Sequence, residues 1–219
     1  MSAPVAPLNR ATDWDSYYQS VPATARLTRR YTTAVLVDAV KRYAQPPEGQ
    51  ALAIVEIGGA NSCFLDRLVA EFAPRSYDVV DTNQYGLNLL ARRAPAGSSL
   101  HLHRESVLAM CLPATADIVF SVGLVEHFNP ADTRAAILAH FDVIRTGGLV
   151  VITFPTPTPL YRATRSFIES IGQWKFHDER PLRPPEVLQA TRERGELLFR
   201  KTLWPLMLTQ HLVVARKVR

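Results

Sequence analysis

The chain has 219 residues, 47% of them hydrophobic and 21% charged, with a formal net charge of +5. At roughly 100–200 residues per domain this is one domain with small additions, too apolar for a disordered chain and without the ~20-residue apolar run of a membrane-spanning helix. Cys63 and Cys111, the two cysteines, supply neither a disulfide framework nor a zinc site, and the dispersed arginines do not form a nucleic-acid module.

The Pro- and Ala-rich start, residues 1–8, has no basic segment ahead of a long apolar run, so a secretory signal is not expected and a cytoplasmic location is. The first ~12 residues read as a frayed tail. An aromatic cluster follows, Trp14, Tyr17 and Tyr18, a candidate packing anchor for the first helix. Leu27, Tyr31, Val35 and Ala39 then repeat at helical spacing and predict a helix over residues 25–43. A loop at 45–49 contains Pro-Pro and Gly.

From there strands and helices alternate. Residues 51–55, 77–80, 100–103, 117–121 and 149–154 read as strands, the last entered through a turn at Gly147-Gly148. Helices are expected at 62–72, 84–93 and 130–144, and this rhythm means βαβ units in a mostly parallel, doubly wound α/β sheet with helices on both faces. Past the prolines at 155, 157 and 159 the pattern changes, with helices at 161–171 and 186–193 around a second Pro-rich break. Strands at 197–203 and 210–214, joined around Pro205, leave no room for a crossover helix and must pair antiparallel.

The stretch Val55-Glu-Ile-Gly-Gly-Ala-Asn-Ser62 ends a strand and opens a helix, where small residues let backbone approach a ligand and a helix N-terminus offers free N–H groups. About twenty residues further on, Asp81 closes the second strand at the distance of a ribose-binding carboxylate. Gly58, Ala60, Asp81 and Ser121 thus stand at strand ends that surround one nucleoside-sized site.

Here the chain resembles the class I S-adenosylmethionine-dependent methyltransferases, from about Ala51 to Phe154. Glu56-Ile-Gly-Gly-Ala-Asn-Ser62 is similar to the first motif of that family, Asp81 to its ribose acid, and Asp117-Ile-Val-Phe-Ser-Val-Gly-Leu-Val-Glu-His-Phe128 to its fourth-strand motif. The segment Ile144-Arg-Thr-Gly-Gly-Leu-Val-Val-Ile152 is similar to the turn and strand that follow, and the closing hairpin fits the reversed seventh strand of a Rossmann-like sheet. Ala60 and Ser62 stand where the family has its second and third glycines. Those replacements weigh more against a nicotinamide dinucleotide, whose pyrophosphate turn wants glycine.

The resemblance implies a single domain over 1–219. Residues 1–48 form a tail, candidate lid and helix, 51–154 the cofactor-binding core, 155–195 a substrate-side insertion and 196–219 the hairpin. It also implies S-adenosylmethionine as cofactor. Glu56, Gly58, Gly59 and Ala60 would lie by its methionine and ribose, Asp81 and Thr82 by the ribose, Glu105 or Ser106 by the adenine, and Ser121, Val122 and Gly123 by the sulfonium. Glu105 reads equally as a solvated loop carboxylate.

His127, beside the predicted cofactor, is the candidate general base for a hydroxyl acceptor, or else a structural histidine. In the ubiquinone-pathway O-methyltransferases a metal sits at a Glu-x-x-Glu-His pattern; Glu126 and His127 match it but Gly123 replaces the first acid, so no metal is expected. Substrate contacts are expected from Tyr17, Tyr18, Tyr161, Arg162, His177 and Arg180, on loops and additions around the core. Asp178, Glu179 and Arg180 read alternatively as a surface ion-pair cluster, and His101 and His103 as structural. The expected function is methyl transfer to oxygen or nitrogen of a small molecule, against two alternatives: a nucleic-acid methyltransferase, and a cofactor-binding scaffold without catalysis. The Asn/Asp-Pro-Pro-Tyr/Phe signature of base-modifying enzymes is absent from the fourth strand.

Overall fold

The computed structural model describes residues 11–20, 23–94, 97, 99–204 and 207–218, with only the backbone at 23–26. Seven strands form one sheet: β1 (Ala53–Ile57), β2 (Ser76–Val80), β3 (Leu100–His103), β4 (Ala116–Val122), β5 (Ile144–Pro155), β6 (Gly195–Leu203) and β7 (Gln210–Lys217). Their order is β3-β2-β1-β4-β5-β7-β6, with β1 to β5 parallel and β7 antiparallel to both β5 and β6. Strand order reverses between β1 and β4, so the carboxyl ends of these two strands open on the crevice where such sheets bind ligands.

The helices are α1 (Trp14–Gln19), α2 (Ala23–Tyr43), α3 (Leu65–Phe72), α4 (Gln84–Arg93), α5 (Pro130–Val143), α6 (Pro159–Ser170) and α7 (Pro184–Arg192). All five residues of β1 are buried, as a strand covered on both faces requires. On one face Leu36, Leu65, Leu68, Leu87 and Leu90 from α2, α3 and α4 pack on Ile54, Ile118 and Phe120. On the other, Ala136, Ile137 and Phe141 of α5 and Val187 and Leu188 of α7 pack on Val55, Val119 and Ile152. The helix expected at 62–72 starts three residues late, because Ser62 first closes a local turn: its Oγ accepts the Phe64 and Leu65 N–H groups at 3.0 and 3.2 Å.

Two expectations are corrected. Gly147-Gly148 is not a turn ahead of a strand but lies inside β5, with Gly147 at φ +79° beside a register shift against β4. The expected tail ends earlier than residue 12, because Thr12 is buried and bonded to Asp178; the remainder of that tail, residues 1–10, and the Pro205 link lie outside the described residues. Among the described residues no helix is long and apolar enough to cross a membrane.

Candidate active site

At the end of β1 the chain turns through Gly58 (φ +79°), whose N–H donates to the Val80 carbonyl at 2.8 Å. A Cβ there would be strained and would press on Leu124 at 3.1 Å, and one on Gly59 would come within 2.6 Å of the Glu56 carboxyl group. Ala60 needs no such freedom: the non-glycine residues with positive φ are Ala73, Trp204 and Met207 among the described residues, so the alanine in place of the family's glycine is unstrained.

The Ala60 N–H donates to Asp81 Oδ2 at 3.0 Å and the Asn83 N–H to Oδ1 at 2.8 Å, so Asp81 ties the loop after β1 to the loop after β2. Burial raises the Asp81 carboxyl above its usual range, against the opposing pull of those N–H groups. Glu56 is buried in the same wall and accepts the Tyr77 hydroxyl at 2.6 Å. Burial pushes it up to about 7.

Asn83 caps α4 through the Gly86 N–H at 2.6 Å. A Cβ on Gly86 would lie 2.7 Å from both Ala60 Cβ and a ring carbon of Tyr18. Tyr18 therefore lies directly over this wall, with its hydroxyl raised by burial and by the nearby Asp81 carboxylate. The helix that carries it, α1, is fastened by Asp15, which accepts the Asn83 side-chain N–H at 2.6 Å. The sequence leaves open whether the aromatic cluster is a lid or an anchor; in the structure Trp14 packs on His127 and Phe176, and Tyr18 on Gly86.

The other cofactor candidates divide. Glu105 and Ser106 shape the loop after β3, Glu105 accepting the Cys111 N–H at 2.9 Å and Ser106 Oγ the Leu108 N–H at 3.2 Å, while Thr82 is exposed. Ser121 is fully buried and donates to His140 Nε2 at 2.9 Å, with His140 Nδ1–H on the Ala136 carbonyl at 2.7 Å. Burial lowers His140 to about 4, which fixes it as a neutral acceptor. The Ser121 hydroxyl is thus committed to α5, and Val122 and Gly123 (φ +69°) carry the strand end forward. A Cβ on Gly123 would stand 3.3 Å from Glu126 Oε1.

A 3₁₀ turn at Val125–His127 follows. His127 Nδ1 donates to Asp178 Oδ1 at 2.9 Å, and Thr12 binds the same carboxylate through its hydroxyl and through its N–H at 3.2 Å. Burial disfavours the charged imidazole, but the Asp178 bond and the nearby Glu126 and Glu179 outweigh it and raise His127. Asp178 is lowered, since its bonds to His127 and Thr12 overcome partial burial. Trp14 and Phe176 lie edge-on to the imidazole with centroids at 5.2 and 6.3 Å. Glu126 is buried with Oε2 unpartnered, and burial pushes it up to about 8.

The alternative of a surface ion-pair cluster at 178–180 does not describe these residues. Asp178 orients His127, and buried Glu179 accepts the Tyr161 hydroxyl and pairs with Arg165 at 3.5 Å. Tyr161 is buried by that bond. Arg180 is a brace, its N–H on the Glu126 carbonyl at 2.9 Å and its guanidinium on Glu186 at 2.7 Å and Thr133 at 2.9 Å. Arg162 and His177 are exposed on the walls of two cavities. One, of about 440 Å³, lies between Tyr17, Trp174, Lys175 and His177; the other, of about 450 Å³, between Tyr161, Arg162, Arg165 and Arg183. His103 binds Asp78 at 2.8 Å, a structural contact as read, and no three metal-ligating side chains converge among the described residues. The Asp178 link to Thr12 spans most of the chain, and no local pattern announces it.

No family model matches the chain, and no curated protein sequence does. Solved structures do. Magnesium protoporphyrin IX methyltransferase ChlM from Synechocystis PCC 6803, with bound S-adenosyl-L-homocysteine, is 11% identical at TM-score 0.72 over 93% of this chain and 94% of that one. N-methyltransferase NodS from Bradyrhizobium japonicum WM9, in complex with S-adenosyl-L-homocysteine, is 14% identical at TM-score 0.68 over 94% and 93%. The 1,6-didemethyltoxoflavin-N1-methyltransferase of Burkholderia thailandensis is 16% identical at TM-score 0.68 over 100% and 94%. The architecture of this chain, with its seven strands and closing hairpin, is the one these proteins share.

Proposed function

We propose, from the class I S-adenosylmethionine-dependent methyltransferase fold of this chain, that it transfers a methyl group from S-adenosylmethionine to oxygen or nitrogen of a small molecule. One observation carries the reading. The side-chain-free turn at Gly58 and Gly59 and the Asp81 carboxylate meet at the ends of the adjacent parallel strands β1 and β2, bonded to each other through Ala60, next to the β1–β4 crevice where strand order reverses. ChlM and NodS are crystallised with S-adenosyl-L-homocysteine, which supports the same cofactor here.

The residues present fit that group: Gly58, at a φ that side chains rarely adopt, and Gly59 leave bare backbone at the end of β1 beside the Asp81 carboxylate. Asp81 would accept ribose hydroxyls and buried Glu56 would face the amino end. When bound, the cofactor supplies an electrophilic methyl on a sulfonium. The chain itself has to align the acceptor, exclude water and take a proton. Trp14, Tyr18 and Phe176 keep water out. With Nδ1–H held by ionised Asp178, His127 is fixed in the tautomer whose Nε2 is a lone-pair acceptor, and the imidazolium formed there is stabilised by Asp178.

Calorimetric titration with S-adenosylmethionine, S-adenosylhomocysteine and NAD tests this. Selective binding of both sulfur ligands is expected, weakened in Asp81→Ala by about 1–3 kcal/mol for a hydrogen-bonded charged group. No binding to a folded sample, or equal binding of NAD, overturns the reading.

A further inference from the structure

Nine large apolar side chains are exposed among the described residues, and seven of them lie on three neighbouring elements at the carboxyl end of the sheet. Leu160, Phe167 and Ile171, 45%, 65% and 52% exposed, form a stripe along α6 at helical spacing. This face is distinct from the one that anchors the helix through buried Tyr161. Met207 and Leu208 on the β6–β7 connection are brought beside the start of α6, because the Thr156 N–H donates to the Thr209 carbonyl at 2.9 Å and the Thr158 and Thr209 hydroxyls bond at 3.1 Å. Leu27 and Tyr31 of α2 join them, the Tyr31 ring standing 5.2 Å from that of Trp204.

The charges nearest these side chains are mostly positive. Glu169 on α6 and the neighbouring Glu179 and Glu186 are each taken by Arg165 or Arg180, and Asp38 and Glu196, exposed carboxylates without an ion pair among the described residues, stand further along α2 and β6. Arg30, Arg162, Arg183 and Lys201 have no carboxylate partner among the described residues. Apolar side chains clustered at this density mark a surface that something covers. Unpaired cations around them fit a partner that offers hydrocarbon and negative charge side by side.

We propose that this end of the molecule docks on an anionic lipid surface, with the α6 stripe, Met207 and Leu208 in the acyl boundary and the four cations on headgroup phosphates. The inference stands apart from the methyl-transfer reading, because it needs neither cofactor nor catalysis.

The test is co-flotation of the full chain with vesicles of phosphatidylcholine alone and of phosphatidylcholine mixed with phosphatidylglycerol. Binding to the mixed vesicles alone is expected. Phe167→Ser with Met207→Ser should weaken it at least about tenfold, and Arg162→Gln with Arg183→Gln about thirtyfold, at near-unchanged circular dichroism. Failure of the folded wild type to float with either vesicle overturns the proposal. So does binding that ignores the two apolar substitutions, which is charge attraction without insertion. A wild-type dimer in light scattering that the same two substitutions split into monomers overturns it too, in favour of a second copy on this face.

Discussion

Asp117 at one end of the sheet and Glu56 and Glu126 at the other are buried carboxylates treated in opposite ways. At the amino end Asp117, almost fully buried, accepts the Ala53 N–H at 2.8 Å, Arg75 at 2.7 Å and Arg145 at 2.6 Å, and these partners overcome burial to hold it below the usual carboxylate range. At the carboxyl end Glu56 and Glu126 are buried with no cation in an ion pair, and burial drives them up to about 7 and about 8. The first arrangement joins the starts of β1, β4 and β5 and has nothing left to bind with. The second keeps polar groups short of partners where the strands open, which is how a fold spends stability on a site.

The largest expected effect separates the ends by function. His127→Ala should lower turnover about a thousandfold, as loss of a positioned base does, with cofactor affinity and thermal midpoint near wild type. Asp178→Asn should fall between the two, since it removes the charge that stabilises the imidazolium but keeps a hydrogen-bonding group. Steady-state kinetics on an acceptor found by screening would read both; full turnover in His127→Ala would reduce the dyad to packing.

Next in size is the amino end. Asp117→Ala should cost about 3 kcal/mol in urea unfolding, because it leaves the buried Ala53 N–H and two guanidinium groups without their shared acceptor. Cofactor affinity should stay unchanged. A variant that loses affinity at full stability would erase the division between a supporting end and a working end.

Asp117 also shows what a sequence withholds. Its place in the fourth-strand motif is legible, because alternating apolar runs and helical spacing are local signals that survive without tertiary context. Its partners are not, since Arg75 and Arg145 are separated from it by 42 and 28 residues. The same limit explains the site. Gly58, Gly59 and Asp81 are readable from one strand–turn–helix unit and its spacing. The Thr12–Asp178–His127 chain joins three segments across 166 and 51 residues and exists only once the fold has closed. The Arg180–Glu186 pair is hidden for a related reason: a loop arginine reads as a group for a substrate anion until the fold shows which carboxylate already stands beside it.

The smallest expected effect is a slope rather than a loss. Glu126 is raised from 4.5 to about 8, so between these values the folded chain holds a proton that the unfolded chain has released. Stability from this group is therefore complete below about pH 4.5 and drains away as pH rises through about 8. Glu126→Gln keeps the shape and removes the titration, and should gain on the order of 2 kcal/mol over wild type between pH 5 and pH 9. Denaturant unfolding across that range measures the difference. Glu56 adds the same slope to both proteins between about pH 4.5 and about 7 and cancels in the difference, so the two curves are expected to diverge as pH rises from about 4.5 to about 8 and to run parallel above that. Curves parallel across the whole range would mean that Glu126 has found a partner or water in solution, and that the carboxyl end is as well compensated as the amino end.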